Sequence, residues 1–235
     1  MALLQLALDF IDSVDAVELL ARIGPAVDLV EVGTPLIKRE GMGAVERLRQ
    51  AVPDKLLVAD LKTIDAGAHE AELAFDAGAD IMTVLGCASD ATVRAVMSVA
   101  AGRGRQVVAD LIGVRDIQAR TQQLAQLGVH YIGIHTGVDE QAGGADPLAH
   151  LALVRAVVAT PLVVAGGISL DRIDAVLALG PAIIVVGSHI TRAADPIAAA
   201  YAFRATMCPD RLRSGVIGRE RVPLRERRAD SEQST

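Results

Sequence analysis

The chain has no tryptophan, two tyrosines and three phenylalanines in 235 residues. So little aromatic surface excludes the stacking platforms on which single-stranded nucleic acid is bound. A net charge of −6 disfavours nucleic acid as the main partner. Cys87 and Cys208 are the only cysteines, which gives neither a disulfide framework nor the spacing of a metal site. A reducing, cytoplasmic setting is expected. No apolar run is long enough to span a bilayer, so no membrane partner is expected. The apolar start MALLQLALDF lacks a basic lead and is interrupted by Asp9, so it does not read as a signal peptide.

What is present is aliphatic. About half of the residues are hydrophobic, so the core must be built from Val, Ile, Leu and Ala. These residues fall into short runs that each end in a polar residue or glycine. The runs are LLQLALD ending at Asp9, VDLVEVG with Glu31, LLVADLK with Asp60 and Lys62, and DIMTVLG with Thr83. They continue with QVVADLI carrying Asp110, VHYIGIH ending at His135, PLVVAGG with Gly166 and Gly167, and AIIVVGS with Gly187 and Ser188. Eight strands at this spacing leave room for a helix after each. One such helix is expected to begin near Ser89 and end at Gly102, and another to end at Gly128. Alternating strands and helices of this number predict a parallel (β/α)8 barrel over residues 1–208. An open doubly wound sheet is the structural rival, weakened by the lack of GxGxxG after the first strand. Residues 209–235 are rich in Arg and lack an apolar repeat, which predicts a disordered or loosely docked tail.

Side chains alternate along a strand, so Leu56, Val58, Asp60 and Lys62 share one face. If that face points inward, the two charges lie at the C-terminal mouth, where barrel enzymes place their chemistry. Asp9, Glu31, Asp110 and His135 end other strands at the same level. Any one acid alone would read as a helix cap or a partner for Lys62. Four carboxylates around one lysine are costly to bury unless paired or bound to a metal. Glu31 and Asp60, on adjacent strands, suit a hard divalent cation, Mg²⁺ first and Mn²⁺ as an alternative. Lys62, among acids, is expected to stay protonated and to stabilise negative charge on a substrate oxygen. His135 is the rim group able to exchange a proton near neutral pH. The glycines after the last two strands let an anion approach the backbone, so Gly167, Gly187 and Ser188 predict a phosphate site, with His189 beside it. Cys87, His69 and His150 read as packing or surface residues.

DLKTIDAG resembles the D-x-K-x-x-D signature of the orotidine 5'-monophosphate decarboxylase superfamily. The set LALDF, VEVGTPLIKREG, VADLKTIDAG, IMTVLGCASDAT, GIHTGVDEQ, AGGI and VVGSHITRAADP is similar to that of its 3-hexulose-6-phosphate synthases, and covers residues 1 to about 207. The resemblance implies a homodimeric barrel with shared sites, in which Asp65 reaches the neighbouring subunit's site. It implies an aldehyde-lyase (aldolase) that adds formaldehyde to D-ribulose 5-phosphate with Mg²⁺, giving D-arabino-hex-3-ulose 6-phosphate for a 6-phospho-3-hexuloisomerase to use. In that scheme Glu31 and Asp60 hold the metal, His135 takes the C1 proton, and Lys62 helps to stabilise the enediolate. The sister 3-keto-L-gulonate 6-phosphate decarboxylases typically carry Arg three residues after that His, where this chain has Val138. A non-catalytic phosphosugar-binding barrel is the remaining alternative. Ser188 departs from the family, which often has a second Gly there.

Overall fold

The computed structural model describes residues 1–9, 12–142 and 147–208. The expected tail, 209–235, lies outside these residues. Eight parallel strands close into a barrel in sequence order: β1 (Leu3–Leu8), β2 (Leu29–Val32), β3 (Leu56–Thr63), β4 (Ile81–Leu85), β5 (Gln106–Asp110), β6 (Tyr131–His135), β7 (Leu162–Ala165) and β8 (Ile183–Val186). All eight apolar runs of the sequence are strands. Closure removes both sheet edges, so every strand is paired on two sides.

Helices lie between successive strands. Two connections hold a pair of helices rather than the single one expected. Thr34–Glu40 and Met42–Ala51 separate β2 from β3, and they divide at Gly41, which takes φ +66°. Val138–Ala142 and Pro147–Arg155 separate β6 from β7. The helix Asp90–Arg103 starts where expected, with the Ser89 side chain accepting from the Thr92 amide. It ends later than expected. Gly102 stays helical, and Gly104 is the left-handed C-cap, its N–H donating to the carbonyls of Ala100 and Ala101.

Two apolar layers hold the barrel. Leu57, Ala59, Val84, Ala109, Ile132 and Val164 face outward into the large cluster shared with the helices. Inside, Leu29, Ile81, Tyr131 and Ile183 come from the even strands, and Val58, Val108 and Val163 from odd ones. Each of those valines pairs in register with a neighbouring even-strand residue: Val58 with Ile81, Val108 with Tyr131, Val163 with Ile183. On β1 the equivalent partner of Leu29 is Gln5. Burying a Leu, Ile or Val side chain stabilises by about 1.5–3 kcal/mol each, so this layered plug anchors the strand ends that follow it.

Two residues further along each strand the interior changes character. Glu31, Thr83 and Gly133 follow Leu29, Ile81 and Tyr131, while Asp60 and Asp110 follow Val58 and Val108. At the other end of the barrel the charges are consumed in structural pairs. Asp80 accepts from Arg49 at 3.0 Å, from Arg105 and from the Leu57 amide at 3.0 Å. Asp28 accepts from Arg204 at 2.6 Å and from the Leu4 amide at 2.9 Å.

Candidate active site

The C-terminal mouth opens into a cavity of about 420 Å³. Asp9, Glu31, Asp60, Lys62, Asp110 and His135 all line it. Gly167, Gly187, Ser188 and His189 close one side. One predicted residue is not brought here: Asp65, on the exposed loop after β3, does not line the cavity of its own chain.

β3 places its two charges by an irregular route. Ala59 pairs with Met82 and Thr63 with Val84, so four steps along β3 match two along β4. The excess is taken up at Lys62, whose φ is +50°, a left-handed conformation that costs a non-glycine residue about 1–2 kcal/mol. Its amide donates to Thr83 Oγ1 at 2.9 Å instead of to a strand carbonyl. The side chain points inward, as alternation predicts, and its ammonium pairs with Asp60 Oδ2 and stands 3.9 Å from Asp110 Oδ2. Burial works against the ammonium, but Asp60, Asp110 and Glu31 outweigh it and raise the Lys62 pKa above the ordinary lysine value.

Asp60 is 4% exposed and accepts from two hydroxyls. Thr83 donates to Oδ1 at 2.7 Å, and Thr34 Oγ1 lies 2.8 Å from Oδ2. Burial would raise its pKa, yet the adjoining Lys62 and these bonds bring it below the ordinary aspartate value. Glu31 has the opposite balance. It is buried, with Gln5 Nε2 donating to Oε2, and desolvation followed by the charges of Asp60 and Asp9 raises its pKa well above that of a free glutamate. Asp9 is likewise raised, first by burial and then by Asp60.

Asp110 is fixed at both oxygens. The Ile112 amide donates to Oδ1 at 2.9 Å, and His135 Nδ1 lies 3.0 Å from Oδ2. Burial lowers the imidazole pKa, but the hydrogen bond and charge of Asp110 exceed that effect, so His135 titrates above the usual histidine value. Asp9 depends on a missing side chain. A Cβ at Gly33 would collide with Asp9 Oδ1, so only glycine admits that carboxylate here.

Among the described residues, the amides of Gly167, Gly187 and Ser188 donate to no backbone carbonyl. Gly166 and Gly167 take φ of +100° and +65°, and a Cβ on Gly166 would collide with the Thr136 carbonyl. Arg192 lines the same side. Three such N–H groups beside a cation suit an anion.

The sequence reading missed Gln5, Thr34, Gln141 and Arg192 as cavity residues, and named Thr83 only as a strand end without giving it a role. Gln5 carried a signal, a lone amide in phase with Asp9 within an apolar strand. Arg192 carried another, a base shortly after the glycine of β8. Thr34 and Gln141 lie beyond strand ends, where alternation gives no facing.

The orotidine 5'-phosphate decarboxylase / HUMPS family pattern matches residues 2–203. The chain belongs to this family. Within it, the chain is 46% identical over 201 residues to a 3-hexulose-6-phosphate synthase of Methylomonas aminofaciens, covering 85% of this chain and 96% of that one. It is 41% identical to the synthase of Mycobacterium gastri, covering 87% and 99%. The crystal structure of 3-hexulose-6-phosphate synthase from Salmonella typhimurium superposes with a TM-score of 0.86 at 39% identity, covering 87% and 98%. The 3-keto-L-gulonate-6-phosphate decarboxylase of Vibrio cholerae superposes at 0.78 with 30% identity, covering 88% and 97%.

Proposed function

We propose that the chain is a 3-hexulose-6-phosphate synthase, a divalent-metal-dependent aldolase that joins formaldehyde to C1 of D-ribulose 5-phosphate. The observation that carries this reading is the juxtaposition in one cavity of a carboxylate-paired imidazole, an ammonium among acids, and a buried carboxylate short of positive charge. The relatives that bear this name, at 40–46% identity, support it.

The donor set fits a hard cation. Glu31 is buried, has a raised pKa and faces two further acids, while Lys62 is engaged by Asp60. Among the described residues no three acid, His or Cys side chains form a complete cage. Glu31 and Asp60 as two oxygen ligands, completed by water and sugar oxygens, match what Mg²⁺ accepts, with Mn²⁺ as substitute. When bound, the metal supplies Lewis-acid charge to substrate oxygens.

The chain's own residues then do the following. Amides of Gly167, Gly187 and Ser188 bind the phosphate. Neutral His135 removes a proton from C1, held in orientation by Asp110. Lys62 stabilises the negative charge that develops on the sugar oxygens as the enediolate forms. C1 of the enediolate attacks the formaldehyde carbon, and the resulting alkoxide takes back a proton to give D-arabino-hex-3-ulose 6-phosphate, the substrate of a 6-phospho-3-hexuloisomerase. Asp9 orients the sugar hydroxyls. Decarboxylation of 3-keto-L-gulonate 6-phosphate is disfavoured because Val138, exposed at the mouth, supplies no cation for protonating its intermediate. Among the described residues no helix is long and apolar enough to cross a membrane.

Formaldehyde loss in the presence of D-ribulose 5-phosphate is the direct test. Consumption is expected with Mg²⁺, is abolished by EDTA, and requires the sugar phosphate. Failure with both Mg²⁺ and Mn²⁺ overturns the reading, and CO2 release from 3-keto-L-gulonate 6-phosphate then replaces it with the decarboxylase.

The same reading makes the working unit a homodimer. Asp65 and Ile64 are exposed beside Ala66, which is held at φ +51°, so the loop presents Asp65 away from its own cavity. Asp65→Ala and His135→Ala homodimers are each expected to be nearly inactive. Mixed and allowed to exchange, they recover about one quarter of wild-type activity, because half the dimers are mixed and each has one intact site. Absence of recovery in a verified mixed dimer would place Asp65 outside the partner's site.

A further inference from the structure

We infer that Thr83 is a positioning residue whose single hydroxyl clamps the Asp60–Lys62 pair into its working geometry. The inference rests on the aldolase reading for its kinetic arm alone. Thr83 is 7% exposed and lines the cavity inside the barrel, two residues beyond Ile81 of the apolar plug.

The directionality of its hydrogen bonds is fixed. The Lys62 backbone N–H can only donate, and it meets Thr83 Oγ1 at 2.9 Å. The hydroxyl has one proton, and that proton is directed to Asp60 Oδ1 at 2.7 Å. One hydroxyl therefore holds the backbone of the lysine and the side chain of the aspartate together. The lysine it holds is in the left-handed region with φ +50°, at the point where β3 carries two residues more than β4 can match. A strand carbonyl is out of step there, so the side chain of Thr83 replaces the missing ladder partner.

Thr34 provides the complementary half. Its hydroxyl lies 2.8 Å from Asp60 Oδ2 and 2.7 Å from the Asp60 carbonyl, and it accepts from Lys62 Nζ at 3.1 Å. Thr34 engages the lysine at its tip. Of the two threonines, Thr83 is the one that engages it at the backbone, where the conformation that turns the side chain inward is set. Without that acceptor, Lys62 N–H is left unpaired in a largely buried position, and an extended backbone becomes the alternative.

Thr83→Val keeps the shape and removes the hydroxyl. Thr83→Ser keeps the hydroxyl and removes a methyl group. The valine variant is expected to lose about 10–100-fold in kcat, the scale on which supporting residues act, while KM for D-ribulose 5-phosphate stays within about threefold. The serine variant is expected within about threefold of wild type in both. A crystal structure of Thr83→Val is expected to show Lys62 out of the left-handed region, or its ammonium withdrawn from Asp60. Thr83→Ala carries the same expectations and serves if the valine variant does not fold. The inference is overturned if Lys62 and Asp60 superpose on wild type in the variant structure, or if serine impairs kcat as much as valine does. If wild type turns over no D-ribulose 5-phosphate, the aldolase reading fails, and the variant structure still decides the clamp.

Discussion

Replacing His135 with asparagine is expected to lower turnover of D-ribulose 5-phosphate and formaldehyde by about 10²–10⁴-fold, with KM for the sugar phosphate within about threefold. Asparagine retains a polar group toward Asp110, so the substitution removes proton exchange while keeping a hydrogen-bonding side chain. A sharper readout is the half-reaction without formaldehyde. Wild type exchanges the C1 proton of D-ribulose 5-phosphate with deuterium from heavy water, and His135→Asn does not. Retained exchange in the variant would remove His135 as the base. The pH profile follows from the same pair. Only neutral imidazole accepts a proton, and Asp110 holds the His135 pKa above 6.5 against the effect of burial. The acid limb of kcat/KM, which reports the free enzyme, is therefore expected above the ordinary histidine value. Asp110→Asn should move it down, because the charge and hydrogen bond that favour imidazolium are weakened. The sign for stability is the reverse of that for activity. A histidine pKa raised on folding stabilises the fold below the unfolded value, and that contribution is lost as pH rises through the folded one.

Glu31→Gln is expected to pull activity and stability in opposite directions. The buried carboxylate has its pKa raised by desolvation and by the charges of Asp60 and Asp9, so ionising it costs the metal-free fold stability. Because the folded state holds the Glu31 proton more tightly than the unfolded chain does, this penalty sets in above the unfolded pKa and grows until pH passes the raised one. Glutamine removes it. In EDTA the variant should melt higher than wild type, by about 2–4 °C for each kcal/mol relieved, and the gap should widen with pH. Turnover should fall by about 10³-fold or more, since Lewis-acid stabilisation of several kcal/mol is lost. Added Mg²⁺ raises the melting temperature of wild type by mass action and should scarcely move that of the variant. An equal Mg²⁺-induced rise in both proteins would show that Glu31 is not a ligand.

The barrel was legible because strands buried on both faces give uninterrupted aliphatic runs, and each run here stops at the residue that reaches the mouth. That is why Asp9, Glu31, Asp60, Asp110 and His135 were found from spacing alone and meet in one cavity. Alternation also put Lys62 on the correct face, but not by the route the chain takes. The left-handed turn arises from the mismatch between β3 and β4, a relation between strands that a single strand's pattern does not contain. Gln5 lay within an apolar run and took the character of its neighbours, although it shares their inward face and supports Glu31. The misplaced helix end has a local cause. Gly102 and Gly104 both suit a stop, and only the backbone decides that the second adopts φ +62°. Asp65 shows a different limit: it sits on the loop after β3 and does not line the cavity of its own chain, and alternation along a strand assigns no facing to a loop residue.

The plug of Leu29, Ile81, Tyr131 and Ile183 bears on how reactants could enter. It makes the cavity a cul-de-sac. On the aldolase reading, reactants and product share one doorway, and a phosphosugar bound at the glycines would stand between later arrivals and the floor. An aldehyde small enough to slip past it can enter second, whereas a bulkier one must come first or not at all. Ordered addition and exclusion by size are thus what the aldolase reading expects of a stoppered barrel.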